Sequence, residues 1–183
     1  MNLTADFDLK DLVRTIPDYP KPGIMFRDIT TLLGHANGFR ACVEQLAGPF
    51  LDRRVQSVAG IEARGFILGG ALAQSLGIGF AAARKRGRLP GVRIGRDYAL
   101  EYGVDTLEAH SDAVRPGQKV LIHDDLLATG GTARAACELV EELGGVVVGL
   151  AFVVELTFLP GRDTLRGYDV ASLVTYDSED IAR

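Results

Sequence analysis

The stretch 120–132, which reads VLIHDDLLATGGT, limits what this chain can fold into more than any other part of it. It begins with an apolar run of the length expected for a buried strand. Two adjacent carboxylates, Asp124 and Asp125, follow where that strand should end, and a small loop with hydroxyl groups comes next. The stretch therefore predicts a buried strand followed by a turn that carries polar groups.

After the loop, the pattern of apolar residues changes to that of a helix, and a second strand follows. The helical pattern and the two glycines that stop it are Ala136, Leu139, Val140, Leu143, Gly144 and Gly145. The apolar segment 146–154 predicts the returning strand. This strand–helix–strand unit indicates an α/β fold with an open, mainly parallel sheet. Ligands of such sheets bind at the carboxyl ends of the strands.

The predicted turn suits a phosphorylated sugar. Gly130 and Gly131 let the backbone approach a ligand, and the first amides of the helix point outward at the positive end of its dipole. Thr129 and Thr132 add hydroxyl donors, and Ala128 completes the loop. The acid pair would repel a phosphate at the same place, so it suits sugar hydroxyls or a metal-bearing part of the ligand. An ordinary turn whose acids cap a local group is the simpler alternative.

Composition narrows the class of protein. With 183 residues, of which 47% are hydrophobic and 24% charged, the chain has the proportions of one globular domain covering 1–183. A net charge of −4 argues against nucleic acid as the main partner. No signal peptide or run that could span a bilayer is visible, so no membrane partner is expected. Two cysteines in helical patterns fit a reducing, cytoplasmic location.

Shorter patterns predict the remaining elements. An amphipathic helix that Pro17 should end is indicated by Leu9, Leu12, Val13 and Ile16. A second helix should begin at Asn37 or Gly38, and a third should span 66–76. Strands are predicted at 58–61, 80–83 and 170–174. His123 alternates with Asp124 along its strand, so it should face the other side of the sheet as a partnered core or interface histidine.

The form DDLLATGGT closely resembles the phosphoribosyl-pyrophosphate (PRPP) motif of the type I phosphoribosyltransferases, and of the adenine phosphoribosyltransferases in particular. It matches neither the P-loop nor the dinucleotide-binding signature. The resemblance implies the type I phosphoribosyltransferase fold, a mainly parallel twisted sheet flanked by helices. It also implies a small N-terminal hood at about 1–35, a core at about 36–183, and a flexible lid loop at about 86–112.

The resemblance also implies an activity. Adenine and PRPP would react to AMP and pyrophosphate, a step of purine salvage, with Mg²⁺ carried on the pyrophosphate and no metal held directly by the protein. The family is usually homodimeric. The phosphate of PRPP or AMP would lie on Ala128, Thr129, Gly130, Gly131 and Thr132. Asp124 and Asp125 would be catalytic, because they could bind the ribose hydroxyls and favour positive charge at the anomeric carbon.

Two further segments resemble parts of the family's ligand site. In GIEARGF, the resemblance assigns Glu62, Ala63 and Arg64 to a pyrophosphate loop, although a capped helix with a solvent-facing arginine would read the same way. In RKRGR, it assigns Arg84 and Lys85 to the pyrophosphate and leaves Arg86 and Arg88 undecided. A basic cluster at the end of a strand is otherwise a solvated face, and the histidines show no metal-ligand spacing.

The segment PGIMFRDI resembles the hood that covers adenine in this family. The backbone of Met25 and Arg27 would read the purine edge while Phe26 stacks on the ring, and Leu156 would pack on the other face. From composition alone, the prolines indicate a rigid extended connector with Phe26 in the core. Simple core packing is the alternative for Leu156.

The long segment between the basic cluster and Gln118 has the alternation of a hairpin around Gly103, which predicts a lid over the ligand. The resemblance makes Glu101 the catalytic acid or base of this lid, and Tyr98 and Tyr102 could anchor its closed form. As an isolated acid in a hairpin, Glu101 would be a surface residue. Two rival functions are a transferase of the same fold for another purine base, and a non-catalytic regulator that binds purine nucleotides.

Overall fold

A computed structural model describes residues 8–100 and 103–179 of the chain. Its strands are β1 (Arg14–Ile16), β2 (Phe26–Asp28), β3 (Ser57–Ile61), β4 (Gly79–Lys85), β5 (Arg93–Leu100), β6 (Gly103–His110), β7 (Lys119–Leu127), β8 (Val146–Leu156) and β9 (Val170–Tyr176). Its α-helices are α1 (Thr30–Gly34), α2 (Ala36–Ala47), α3 (Gly65–Leu76), α4 (Gly131–Glu142) and α5 (Gly161–Thr164). Two 3₁₀ helices, Leu9–Leu12 and Gly48–Arg53, complete the described elements.

Seven strands form one sheet in the order β5-β6-β4-β3-β7-β8-β9. The strands from β4 to β9 in this order run parallel, and the β5–β6 hairpin joins the edge of β4 antiparallel. This arrangement confirms the predicted α/β class and its mainly parallel sheet. The division into hood, core and lid stays a prediction.

The central strands are buried on both faces, so their side chains alternate between two apolar clusters. On one face, Ile122 packs with α4, the β5–β6 hairpin and the neighbouring strands. On the other face, Leu121 packs with α2, α3 and the N-terminal segment. This double burial explains why residues 120–122 of β7 form a continuous apolar run without polar alternation.

The N-terminal segment differs from the predicted helix. Only Leu9–Leu12 is helical, and the chain then becomes extended as β1, which pairs antiparallel with β2. Two features favour the strand over a longer helix. Thr15 and Ile16 are β-branched, and Arg14 makes an ion pair with Asp28 across the pair of strands. The segment predicted as a mere connector thus contributes a strand to a two-stranded sheet.

Other boundaries agree closely with the predictions. The helices at α3 and α4 and the strands β3, β8 and β9 are confirmed to within a few residues. β7 runs further than expected, through the acid pair to Leu127, and β4 runs through Arg84 to Lys85. The acids therefore stand on the last part of a strand and not after it. None of the helices in the described part of the chain is long and apolar enough to cross a membrane.

Candidate active site

An open cleft of about 470 Å³ lies at the carboxyl ends of β3 and β7. Among the residues predicted for the site, it brings together Glu62, Ala63, Arg64, Lys85, Tyr98, Asp124, Asp125, Ala128, Thr129, Gly130, Gly131 and Thr132. Those outside its lining are Arg84, Met25, Phe26, Arg27 and Leu156. Three of the four parts of the sequence that meet here follow the parallel strands β3, β4 and β7, which end at one edge of the sheet, and Tyr98 comes from the antiparallel hairpin.

The turn between β7 and α4 has the geometry of an anion site. Gly130 has a φ of +82°, a left-handed conformation that a side chain would oppose, and α4 begins at the next residue, Gly131. The first amides of α4 have no partner within the helix, and they lie at the positive end of its dipole. A phosphate monoester in the cleft could accept hydrogen bonds from these amides and from the hydroxyl of Thr132.

The two carboxylates differ in their surroundings. Asp124 Oδ1 accepts a hydrogen bond of 2.9 Å from the amide of Asp125. Asp125 is only 5% exposed, and its Oδ2 lies 2.7 Å from Nε of Arg64. This ion pair lacks hydrogen-bond alignment, since Asp125 Oδ2 has no hydrogen-bond donor among the described residues. A buried acceptor in this state suits a hydroxyl group of a ligand.

Burial governs the protonation of the pair. It raises the pKa of Asp124 well above the usual range of an aspartate, and the neighbouring carboxylate of Asp125 raises it further. Burial also raises the pKa of Asp125, while the guanidinium of Arg64 opposes that rise. The two groups titrate together. The state in which the pair shares one proton is therefore more favoured here than it is for two aspartates in water. Positive charge nearby would restore the fully ionised form.

On the β3 side of the cleft, Glu62 contacts several of the basic residues. Its nearly buried carboxylate accepts hydrogen bonds from Arg84 Nη2 at 3.0 Å, Arg88 Nη1 at 3.3 Å and the amide of Lys85 at 3.1 Å. The hydrogen bond from Arg84 is the largest cause of the lowered pKa of Glu62. The Glu62–Ala63 peptide bond is cis, a property of the loop that the sequence could not reveal.

The basic residues differ in where they lie, and their assignment to a pyrophosphate stays a prediction. Arg84 is held by Glu62 and by the carbonyl of Arg88, at 2.7 Å, and it does not line the cleft. Arg88, which the sequence left undecided, does line it together with Lys85. No signal in the sequence separated Arg88 from its basic neighbours. Arg84 donates two hydrogen bonds to Glu62 and one to the Arg88 carbonyl, whereas the side chain of Arg88 makes a single contact with Glu62, at 3.3 Å.

The predicted base-binding residues lie beside the cleft, in the two-stranded sheet and at the end of β8. The guanidinium carbon of Arg64 is 5.0 Å from the ring centroid of Phe26, so Phe26 adjoins the cleft. Arg27 is only 3% exposed, donates to Thr15 Oγ1 at 2.6 Å and stacks over the ring of Tyr176 at 3.8 Å. The side chain of Arg27 therefore joins the two-stranded sheet to β9.

The C-terminal segment reaches the same place. The amide of Met25 donates a hydrogen bond of 2.9 Å to Oε2 of Glu179. Leu156 ends β8 beside Tyr176 and packs, partly buried, in the cluster on the α2 and α3 face. Sequence reasoning missed Glu179 and Tyr176, because a contact between positions 25 and 179 leaves no local pattern.

The hairpin contributes Tyr98, which is 7% exposed and lines the cleft. Its hydroxyl donates to Asp105 Oδ2 at 3.2 Å, within the same hairpin. Burial is the main cause of its raised pKa, and the nearby hydroxyl of Thr132 opposes that rise. Tyr98 thus connects the predicted lid to the phosphate turn. Two other residues predicted for the lid, Glu101 and Tyr102, lie outside the described residues.

His123 lies beneath the site, on the opposite side of β7 from the cleft. It is fully buried, and its Nδ1 lies 2.9 Å from the carbonyl oxygen of Ala151. Burial lowers its pKa to about 4, so the ring is neutral at pH 7. The prediction of a partnered core histidine matches Nδ1, whereas Nε2 has no partner among the described residues.

Comparisons with known proteins agree with this geometry. The family model of the phosphoribosyl transferase domain matches residues 32–171. The adenine phosphoribosyltransferase of Dinoroseobacter shibae is 55% identical over 97% of this chain and 100% of its own length. That of Solibacter usitatus is 56% identical over 93% of this chain and 98% of its own length.

Solved structures give the same result. The crystal structure of the adenine phosphoribosyltransferase of Thermoanaerobacter pseudethanolicus has a TM-score of 0.90 and 50% identity, covering 92% of this chain and 98% of that one. The enzyme of Saccharomyces cerevisiae, solved with adenine and an imino-altritol bisphosphate, has a TM-score of 0.86 and 38% identity, covering 90% and 96%. The chain therefore belongs to the phosphoribosyl transferase family and, within it, to the adenine phosphoribosyltransferases.

Proposed function

We propose that this protein transfers the phosphoribosyl group of PRPP to adenine, giving AMP and pyrophosphate in purine salvage. The observation that carries the proposal is one cleft that joins an amide-rich turn, a buried acid pair and cationic side chains. A 5′-phosphate suits the turn, ribose hydroxyls suit the acids, and a pyrophosphate suits the cations. A molecule with these three parts in this order is PRPP.

The residues of the cleft divide the work of the reaction. A purine ring nitrogen attacks the anomeric carbon while the bond from that carbon to pyrophosphate breaks. Asp124 and Asp125 bind the ribose hydroxyls and stabilise the positive charge that develops on the sugar. Lys85, Arg88 and Arg64 stabilise the negative charge of the departing pyrophosphate. The amides of 128–132 hold the phosphate, which keeps the sugar in one orientation during the transfer.

The proton of the purine nitrogen needs an acceptor, and we assign this role to Glu101 on the lid. The cationic side chains of the cleft cannot accept a proton, and His123 faces the other side of β7. General base help is worth roughly 10²–10⁴-fold in rate. In a Glu101→Gln variant, turnover should fall by about this factor with little change in PRPP affinity. Turnover near that of the wild type would leave Glu101 without a chemical role.

Mg²⁺ enters this proposal with the substrate. In residues 8–100 and 103–179, no group of three histidine, cysteine, aspartate or glutamate side chains could hold a metal ion. Mg²⁺ commonly takes one or two carboxylates together with substrate phosphates and water. The acid pair beside a pyrophosphate fits that donor set. When bound, the ion neutralises charge on the leaving group.

We further propose that the enzyme is a cytoplasmic homodimer. Ile67 on α3 and Phe80 on β4 expose apolar surface, at 49% and 40%, which a second copy of the chain could cover. The two cysteines, Cys42 and Cys137, are buried and unpaired, as in proteins of a reducing compartment. Light scattering of the purified protein measures the assembly, and a monomer at micromolar concentration would contradict it.

The deciding experiment is an assay for AMP and pyrophosphate with PRPP, Mg²⁺ and one base at a time. Adenine should be the preferred substrate, and hypoxanthine, guanine and xanthine should react far more slowly. The base-binding assignments predict this preference through the backbone of Met25 and Arg27. Preference for another base would support the rival transferase. Tight AMP binding without turnover of any base would support the regulator.

A further inference from the structure

A short helix behind the phosphate turn is in direct contact with it. A Cβ at Gly130 would lie 2.9 Å from the carbonyl oxygen of Gly161 and 3.0 Å from Cβ of Thr164, both in α5. Gly130 therefore needs to be glycine for two reasons, its φ of +82° and this packing. The turn rests on α5, about thirty residues further along the chain.

The hydroxyl of Thr164 makes a specific hydrogen bond to the turn. It donates to the carbonyl oxygen of Thr129 at 2.7 Å. The carbonyl of Pro160, four residues earlier in the chain, is a second acceptor at 3.1 Å. The shorter of the two hydrogen bonds of this hydroxyl is therefore the one to the phosphate turn. In a trans peptide, the N–H points away from the C=O. The Thr129–Gly130 peptide therefore directs the Gly130 amide away from α5 and towards the cleft.

The preceding peptide is oriented in the same way. A Cβ at Gly161 would lie 2.4 Å from the carbonyl oxygen of Ala128, so this carbonyl also faces α5. The Ala128–Thr129 peptide then directs the amide of Thr129 away from α5. Two successive amides on one side form a concave anion site of the kind called a nest. A hydrogen bond accepted by a peptide carbonyl also polarises the N–H of the same peptide. The N–H then becomes a stronger hydrogen-bond donor.

We propose that α5 is the template of the phosphate site and that Thr164 is a positioning residue for the phosphoribosyl ligand, acting through the Thr129–Gly130 peptide. Thr164 need not touch the ligand. This inference rests on the proposed role of the turn in binding phosphate. It adds two residues to the phosphate site, Thr164 and Gly161, which lie outside the motif DDLLATGGT. It makes the affinity for a phosphorylated sugar depend on a hydroxyl outside the motif.

The template is held independently of the turn. Arg162 makes a bidentate ion pair with Glu155 at the end of β8, with both nitrogen–oxygen distances 2.7 Å. Its Nη1 also donates to the carbonyl of Val170 at 2.9 Å. Glu155 is nearly buried, and the hydrogen bond from Arg162 is the largest cause of its lowered pKa. Because α5 is anchored to β8 and β9, it can impose its geometry on the turn.

The test compares Thr164→Val, which removes the hydroxyl and keeps the shape, with Thr164→Ser, which keeps the hydroxyl. The matched control is Thr157→Val, whose hydroxyl donates to the carbonyl of Tyr176 at 3.1 Å, away from the turn. Losing one neutral hydrogen bond should raise KM for PRPP and Kd for ribose 5-phosphate by about 2- to 12-fold. We expect this loss in Thr164→Val with kcat unchanged, and near-normal values in Thr164→Ser and Thr157→Val.

Melting curves and one further variant keep the outcomes separate. Thr164→Val should melt close to the wild type; if it does not fold, Thr164→Ala serves in its place. Unchanged PRPP and ribose 5-phosphate binding in Thr164→Val, or an equal loss in Thr157→Val or Thr164→Ser, would overturn the template role. Gly131→Val should abolish ribose 5-phosphate binding in a folded protein. If Gly131→Val binds normally, the phosphate role of the turn fails as well.

Discussion

The proposed ligand site has a phosphate half in the cleft and a base half beside it, and the two are built in different ways. The phosphate half consists of ten consecutive residues, 124–133, on one strand–turn–helix unit within the seven-stranded sheet. The base half combines the two-stranded sheet, the end of β8 and the C-terminal segment, which are distant in sequence. The first half uses the backbone of one stretch, which α5 supports from outside, and the second depends on contacts between separate segments.

This difference has a physical consequence. Amides of a turn between a buried strand and a buried helix are preorganised, since both elements are fixed by the core. The two-stranded sheet is held by side-chain contacts such as the Arg14–Asp28 pair and the stacking of Arg27 on Tyr176. Substitutions in the phosphate half should therefore change chemistry and stability together. Substitutions in the base half should change affinity for the base with little effect on the core.

The largest effect is expected from Asp124→Asn combined with Asp125→Asn. Loss of charged acceptors for the ribose hydroxyls should lower kcat/KM by about 30- to 4,000-fold, corresponding to about 2–5 kcal/mol. Burial raises both pKa values, and the carboxylate of Asp125 raises that of Asp124 further, so the ionised pair destabilises the fold at pH 7. The melting temperature should therefore rise. Kinetics and calorimetry measure both effects, and wild-type activity would require the sugar assignment to be abandoned.

A pH effect should follow from His123 beneath the phosphate half. Its pKa falls from the ordinary value of 6.5 to about 4 in the folded protein, so the unfolded chain binds the proton first as pH drops. Its contribution to stability is complete above pH 6.5 and is lost progressively towards pH 4. The loss amounts to about 3 kcal/mol.

Denaturant unfolding of wild type and His123→Val at several pH values measures this contribution. The variant should lose less stability between pH 7 and pH 4.5, although the unpartnered Ala151 carbonyl lowers its stability at pH 7. The pKa values of Glu62 and Glu155 are lowered in the folded protein, so their contribution to stability is lost at low pH. This loss should be equal in wild type and variant. Parallel pH curves for the two proteins would show that His123 does not titrate in this range.

In the base half, Phe26→Ala should weaken adenine binding by about 1–3 kcal/mol, which is roughly 5- to 150-fold. The change removes a ring beside the cleft and leaves the phosphate turn untouched. KM for adenine should rise while Kd for ribose 5-phosphate stays constant, as measured by kinetics and calorimetry. An equal loss for both ligands would mean that the two halves of the proposed ligand site are not independent.

The smallest effect is expected from Glu179→Ala. The carboxylate of Glu179 occupies the Met25 amide that is proposed to read the purine edge, so adenine has to displace it. Removing this competitor should lower KM for adenine by a few-fold, on the scale of one hydrogen bond of about 1 kcal/mol. Glu138→Ala, on the exposed face of α4, is a suitable control. A higher KM in Glu179→Ala would mean that Glu179 supports the base site instead.

Much of the fold could be predicted from the chain because its signals are local. Within about thirty residues, the chain contains the apolar run of β7, the helical spacing of α4 and the glycines that separate the elements. The N-terminal segment was the exception. Four apolar residues with helical spacing predicted a helix, but pairing of Ile16 with Phe26 in a strand prevailed. A pairing partner ten residues away outweighed the weak propensity of a short helix.

The candidate site likewise has parts that local sequence patterns predict and parts that depend on contacts between distant segments. The sequence by itself determined the acid pair and the amide-rich turn, because they occupy consecutive positions of one strand–turn–helix unit. Only the tertiary structure decided that Glu62 holds Arg84 while Arg88 lines the cleft, that Glu179 meets Met25, and that Thr164 orients the turn. Periodicity and spacing report the neighbours of a residue along the chain. Contacts between distant segments depend on the close packing of the whole fold, which no local pattern encodes.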